Sequence, residues 1–366
     1  MADVAARLPG VAEGNWLLLG SLSLPSRVDP RWRWPGGYPS RPPVQPAQIM
    51  ARPAFDLDLC HLERSDADRG TPDGYGERAR AAVRAVAPPR DAAAMGEAGL
   101  PGLGGLVRYS SDLRLVADRQ QVMGVVIAQP VGSDGVRHVD DPVAVEIDIK
   151  PRSKVAFSGE PARALQPFVG VDIPGFMPPS LPMYPAENLF ADKASLLSGP
   201  PTSLRGPTVG PWHRYKDLVD LYFVTQAVAL DGDRVKAALA SNWNFRRMER
   251  PGVPEPYRVY GDHTRPGDRF ARDEPAIDWE RGIDQLREAA PQLAAYPSFT
   301  AMSSEVGGCV DELAGIADGS LWVPGLGWSE SAAVPELNDQ MSAVRAVGQV
   351  DETEPAPPAP SDGLSW

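Results

Sequence analysis

A chain of 366 residues has room for two or three domains and a sizeable core, and apolar and charged fractions of 43% and 23% are those of a globular protein. The formal net charge of −12 excludes a strongly basic nucleic-acid-binding domain, while leaving room for RNA contact through a local basic patch. Two cysteines, Cys60 and Cys309, and four scattered histidines, His61, His138, His213 and His263, build neither a disulfide framework nor a zinc pattern.

Near the N-terminus, the apolar run from Trp16 to Leu19 is far too short to span a bilayer. It follows Glu13 and lacks a basic leader segment, which argues against a signal peptide. A reducing cytosolic compartment, the cytoplasm, is the default expectation, with no membrane partner. The dipeptide Gly20-Ser21 comes next, followed by an irregular insert near 28–50. Its core, Arg31 to Pro43, is too rich in proline and glycine for regular structure. Its Arg and Trp residues suit stacking on single-stranded RNA, although such a stretch is more often a plain surface loop. Proline and glycine together make about a fifth of the chain.

The stretch Phe55-Asp-Leu-Asp-Leu59 alternates strictly. On a strand, period two puts Phe55, Leu57 and Leu59 on one face and Asp56 and Asp58 on the other. Two adjacent like charges are tolerated where a cation sits between them, and a divalent metal is the usual one. The alternative is a solvated strand face. Residues 75–87 read as a helix. Leu106 to Val116 and Val122 to Ala128 read as strands. Val143 to Ile149 alternates again, with Val143, Val145, Ile147 and Ile149 opposite Glu146 and Asp148.

Beyond about residue 183 the pattern turns helical. Pro185 opens a helix running to Leu197. Lys216 to Leu230 is periodic, with Leu218, Leu221, Tyr222 and Val228 on one side. Asp217 and Asp220 share another side, where a charged, capping face is the bland reading. Further helices are expected near 233–243, 278–294 and 302–317. From about 350 the acidic, proline-rich tail is low-complexity and reads as disordered. The expected fold class is α+β, a small mixed sheet flanked by helices and followed by a helical C-terminal domain. The expected division is 1–200, 201–345 and a tail at 346–366.

These parts suit one chemistry. Phosphoryl or nucleotidyl transfer needs a few carboxylates on neighbouring strands to hold Mg²⁺ against a triphosphate. Asp56 and Asp58 supply two and Asp148 a candidate third. Gly20-Ser21 offers backbone donors for phosphate, Lys193 in the first helix expected after the sheet is a candidate cation for it, and Arg52 a phosphate contact or a strand cap.

In this order the residues resemble the AbiEii/AbiGii toxin family of the DNA polymerase β-like nucleotidyltransferase superfamily. Gly20-Ser21, Asp56-Leu-Asp58 and Asp148 look like the superfamily signature. Tyr184-Pro-Ala-Glu-Asn-Leu-Phe-Ala-Asp-Lys193 and Arg214-Tyr-Lys-Asp-Leu-Val-Asp-Leu221 are similar to the two motifs that the toxin family adds. The resemblance implies a nucleotidyltransferase fold with Asp56, Asp58 and Asp148 as metal ligands and catalytic carboxylates, and Lys193 also catalytic. It places Gly20, Ser21, Arg52, Lys193, Lys216 and Asp217 at the nucleotide. Mg²⁺ or Mn²⁺ would be the cofactor and an NTP the substrate. It further implies a toxin of a toxin–antitoxin or phage-defence system, a tRNA acceptor and a cognate antitoxin. Two other readings stay open. A catalytically inactive relative could serve as a binding or regulatory module, since Asp112-Leu-Arg114 looks like a damaged Asp-X-Asp. A metal-free carboxylate-pair hydrolase could also use Asp56 and Asp58.

Overall fold

A computed structural model describes residues 4, 7–8, 15–24, 51–52, 56–62, 72–90, 101–102, 107–116, 121–131, 142–151, 155–158, 162–165, 181–198, 215–249 and 273–330. The insert near 28–50, Phe55, Arg214 and the tail at 346–366 lie outside the described residues.

An eight-stranded mixed sheet organises the N-terminal half. In chain order its strands are β1 (Asn15–Leu18), β2 (Asp56–Leu62), β3 (Pro101–Gly102), β4 (Val107–Val116), β5 (Gln121–Pro130), β6 (Val143–Pro151), β7 (Ala162–Leu165) and β8 (Leu181–Met183). Across the sheet they run β3-β4-β5-β6-β2-β1-β8-β7. The β2–β6 and β1–β8 pairs are parallel and the rest antiparallel. The three short strands β3, β7 and β8 widen the sheet beyond what alternation in the sequence announces, because two to four residues carry no readable period.

Helix α1 (Pro72–Val86) covers one face of this sheet. Ala79, Ala82, Val83 and Val86 pack against Leu57 and Leu59 of β2, Tyr109 and Leu113 of β4, Val122 and Val126 of β5, and Ile147 and Ile149 of β6. Each fully buried aliphatic side chain here contributes about 1.5–3 kcal/mol. The apolar half of the alternation therefore fixes which face is core, and a one-residue slip would turn every carboxylate inward. Val143, at the first position of β6, escapes this burial at 59% exposed.

The opposite face, under β1 and the end of β2, is closed by helices. These are α2 (Ala186–Ser198), α3 (Tyr215–Ala227), α4 (Gly232–Glu249), α5 (Asp273–Ala289) and α6 (Phe299–Glu312). A single apolar cluster runs from Leu17, Leu24 and Cys60 through Phe190, Leu218 and Phe223 to Ile283, Met302 and Val310. Helix α2, on the N-terminal side of the expected boundary near 200, belongs to that cluster. Helix α3 differs from the one-sided helix expected of its periodicity: every residue from Asp217 to Thr225 is buried. Gly282 of α5 sits against its first turn, where a Cβ would lie 2.7 Å from the Tyr215 ring.

A second sheet also went unread in the sequence. Strands β9 (Leu230–Asp231), β10 (Leu321–Val323) and β11 (Gly327–Ser329) pair in the order β11-β10-β9. The Trp322 indole N–H donates to Thr225 O at 2.8 Å and that of Trp328 to Cys309 O at 2.9 Å, tying this sheet to α3 and α6. The first of these spans 97 residues of chain and the second 19.

Candidate functional site

The site begins where β1 ends. Gly20 has φ +64°, a conformation open to glycine at little cost, and Ser21 starts a 3-10 turn (Ser21–Ser23). Leu19 N–H donates to Asp58 O at 2.9 Å, which pins the turn to β2. A Cβ on Gly20 would come 2.5 Å from Asp58 Oδ2, so glycine alone lets the turn lie against that carboxylate.

Strands β2 and β6 bring the acids together. In their parallel register Asp58 stands opposite Asp148 and Asp56 opposite Glu146. With Leu57, Leu59, Ile147 and Ile149 in the core, all four carboxylates share the other face. Asp148 Oδ1 accepts a hydrogen bond from Gln121 Nε2, and Lys150 Nζ lies 3.4 Å from Asp148 Oδ2. Burial pushes the Asp58 carboxyl up to about 6; Lys150 and Lys193 oppose that rise, while Asp56 and Asp148 add to it by repulsion.

The other half of the site is a buried ion network. Ser21 Oγ donates to Asp220 Oδ2 at 2.6 Å. Arg52 donates through Nη2 to that same oxygen at 2.9 Å and to Ser21 Oγ at 2.6 Å. Its Nε lies 2.8 Å from Asp220 Oδ1. Lys193 Nζ donates to Asp217 Oδ1 at 2.8 Å and lies 2.9 Å from Asp220 Oδ2. Asp220 is 0% exposed, and Arg52, Lys193 and Asp217 are all below a tenth. Two cations balance two anions, which makes such deep burial tolerable. Burial alone would lower the Lys193 ammonium, but Asp217 and Asp220 more than offset it and hold it raised. Asp220 does the same for Arg52.

The fold thus brings Gly20, Ser21, Asp56, Asp58 and Asp148 to one end of β1, β2 and β6, and joins Arg52, Lys193 and Asp217 to them through Ser21. Lys216 precedes Asp217 in the first turn of α3 and is half-exposed. Asp112 and Arg114 stand exposed on β4, with β5 and β6 between them and β2. Cys60 is buried in the apolar cluster beside Leu17. Two participants escaped the sequence reading. Asp220 was legible as a charge inside the apolar run Leu218–Val224. Lys150 was not, because its surroundings depend on the pairing of β2 with β6.

Among the described residues, no three His, Cys, Asp or Glu side chains stand close enough to hold a metal ion by themselves. The donor chemistry nevertheless fits Mg²⁺, which takes hard oxygens and is commonly held by one or two carboxylates with water and substrate phosphates completing the shell. Asp58, half-buried among other carboxylates, is a group that a cation would stabilise in its charged form.

A mixed sheet presenting carboxylates from two neighbouring strands below a Gly-Ser turn, with helices closing over it, is a nucleotidyltransferase-type α+β fold. The family model described as nucleotidyl transferase AbiEii toxin, type IV toxin–antitoxin system, matches residues 108–303. The chain belongs to that family of nucleotidyltransferase toxins. The matched segment contains Asp148, Lys193, Lys216, Asp217 and Asp220; Gly20, Ser21, Arg52, Asp56 and Asp58 precede it. Among solved structures the chain is similar to MenT4, a nucleotidyltransferase toxin from Mycobacterium tuberculosis H37Rv, at 13% identity and a TM-score of 0.47, over 94% of this chain and 90% of that one. No curated protein sequence matches it. Among the described residues no helix is long and apolar enough to cross a membrane.

Proposed function

We propose that the chain is a metal-dependent, NTP-using nucleotidyltransferase that transfers a nucleotide to an acceptor hydroxyl, with tRNA the leading acceptor. One observation carries this reading: the Gly20-Ser21 step touches both halves of the site. Its backbone lies against Asp58, and the Ser21 hydroxyl donates to Asp220 within the Arg52–Lys193 network. A triphosphate on that turn would meet carboxylates on one side and held cations on the other.

In this reading the backbone N–H groups at Gly20 and Ser21 cradle phosphate oxygens. Arg52 and Lys193, fixed by Asp217 and Asp220, offset the triphosphate's charge, and by the family motif Lys216 belongs at the nucleotide as well. Asp56, Asp58 and Asp148 would supply the carboxylates for Mg²⁺ or Mn²⁺, with water and the triphosphate's oxygens completing the shell. When bound, the metal neutralises charge on the triphosphate and makes the acceptor hydroxyl more acidic. Asp148 takes the proton of that hydroxyl as its oxygen bonds to the α-phosphorus, and the bond to the bridging oxygen breaks to release pyrophosphate. A cognate antitoxin, a role in phage defence, a cytoplasmic location and a helical domain at 201–345 following a catalytic domain at 1–200 belong to the same proposal.

The test is incorporation of radiolabelled NTP into total RNA with Mg²⁺. Wild type should label an RNA species, and Asp56→Ala/Asp58→Ala should not. Equal signals, or equal blanks across all four NTPs, would overturn the reading.

A further inference from the structure

Lys150 has no part in the reaction just described, yet it stands one step beyond the Asp58–Asp148 pair on the acidic face. It follows Asp148 by two residues on β6, so both side chains point the same way. Its register partner on β2 is Cys60, two residues beyond Asp58. The ammonium lies 3.4 Å from Asp148 Oδ2, while the other oxygen of Asp148 is taken by Gln121. Burial alone would lower the Lys150 ammonium, but the charges of Asp58, Asp148 and Asp192 hold it raised. They come from three different elements, β2, β6 and α2. The lysine side chain is 34% exposed.

An ammonium in that position lowers the repulsion between Asp58 and Asp148, as a bound divalent cation would. Lysine is a point charge on a flexible stem with three donors and no acceptor. It can neutralise the carboxylates but cannot share them with a second cation at close range, because like charges a few ångströms apart repel strongly where water is scarce. Asp192 on α2 adds a third negative charge acting on it.

We infer that Lys150 is a built-in counter-ion to Asp58 and Asp148, its positive charge competing with a divalent cation for theirs. It thereby keeps resting metal affinity low. This rests on the metal role proposed above for Asp58 and Asp148.

The test is Mn²⁺ binding to the full chain without NTP or RNA, followed by calorimetry and by the loss of the free-ion electron paramagnetic resonance signal. Lys150→Met should bind Mn²⁺ about tenfold or more tightly than wild type. Lys150→Arg, which keeps the charge, should stay near wild type, and Lys150→Met/Asp58→Asn should lose the gain. Lys150→Gln, with circular dichroism, serves if the methionine variant does not fold. Wild type binding Mn²⁺ with Lys150→Met equal or weaker would overturn the counter-ion role and leave the metal reading standing. No binding by any variant up to millimolar Mn²⁺ would overturn both.

Discussion

Asp220→Ala tests the buried network most directly. Asp220 is fully buried and pairs with two cations and a hydroxyl: Arg52 at 2.8 and 2.9 Å, Lys193 at 2.9 Å and Ser21 at 2.6 Å. Removing it leaves the Arg52 guanidinium buried without its carboxylate. Removing one partner of a buried pair costs about 3–5 kcal/mol. Lys193 keeps Asp217 at 2.8 Å, so the penalty falls chiefly on Arg52 and should lie near the lower end, about 3 kcal/mol. Arg52→Met should be costly for the mirror-image reason. In Arg52→Met/Asp220→Ala neither charge of that pair remains, so the double variant should lose less than the two single losses added, by roughly 1.5–3 kcal/mol. Urea denaturation of the four proteins gives the cycle, with the slope checked for constancy. A loss below about 1 kcal/mol for Asp220→Ala, or additive losses in the double variant, would refute the claim that these charges are held as one network.

Gly20→Ala should be more damaging than an ordinary turn substitution. It forces a Cβ to 2.5 Å from Asp58 Oδ2 at φ +64°, with strain of about 1–2 kcal/mol, and pushes the turn off β2. NTP affinity measured by calorimetry should fall about tenfold, the equivalent of about 1.4 kcal/mol; unchanged affinity would remove Gly20 from the phosphate cradle. Asp58 predicts a pH dependence. Its folded value of about 6 lies above the ordinary carboxyl value, so between about 4 and 6 the folded metal-free protein binds the extra proton. Its stability should therefore fall as pH rises through that window, by on the order of 1–2 kcal/mol once partial exposure is discounted. Asp58→Asn should flatten that slope in urea titrations at successive pH values, and an identical slope would place the effect elsewhere.

Much of this was legible without coordinates. Period-two runs at Asp56–Leu59 and Val143–Ile149 place the carboxylates opposite the core face, because a strand alternates whatever it pairs with. Long helices also announce themselves, since eleven or more residues average out local exceptions: expected 75–87 and 185–197 became Pro72–Val86 and Ala186–Ser198. Helix α3 was found but its environment was misjudged. A helix enclosed on every side needs no polar face, so periodicity over-reported one. Short strands such as β8, β9 and β10 were invisible because their stability comes from partners far along the chain.

The sequence by itself determined the inventory: three acids on two alternating strands, a glycine-serine step ahead of them, and Lys193 and Asp217 on helices behind. These are local properties, carried by the backbone's own periods. Only the tertiary structure decided who faces whom. Parallel pairing of β2 with β6 sets Asp58 against Asp148 and brings Lys150 among them. Packing of α3 under β1 turns Asp220 from a helix-surface charge into the buried anchor of Ser21, Arg52 and Lys193. Electrostatic partnership depends on distance and on the exclusion of water, and both arise only when segments as far apart as Ser21 and Asp220 close on one another.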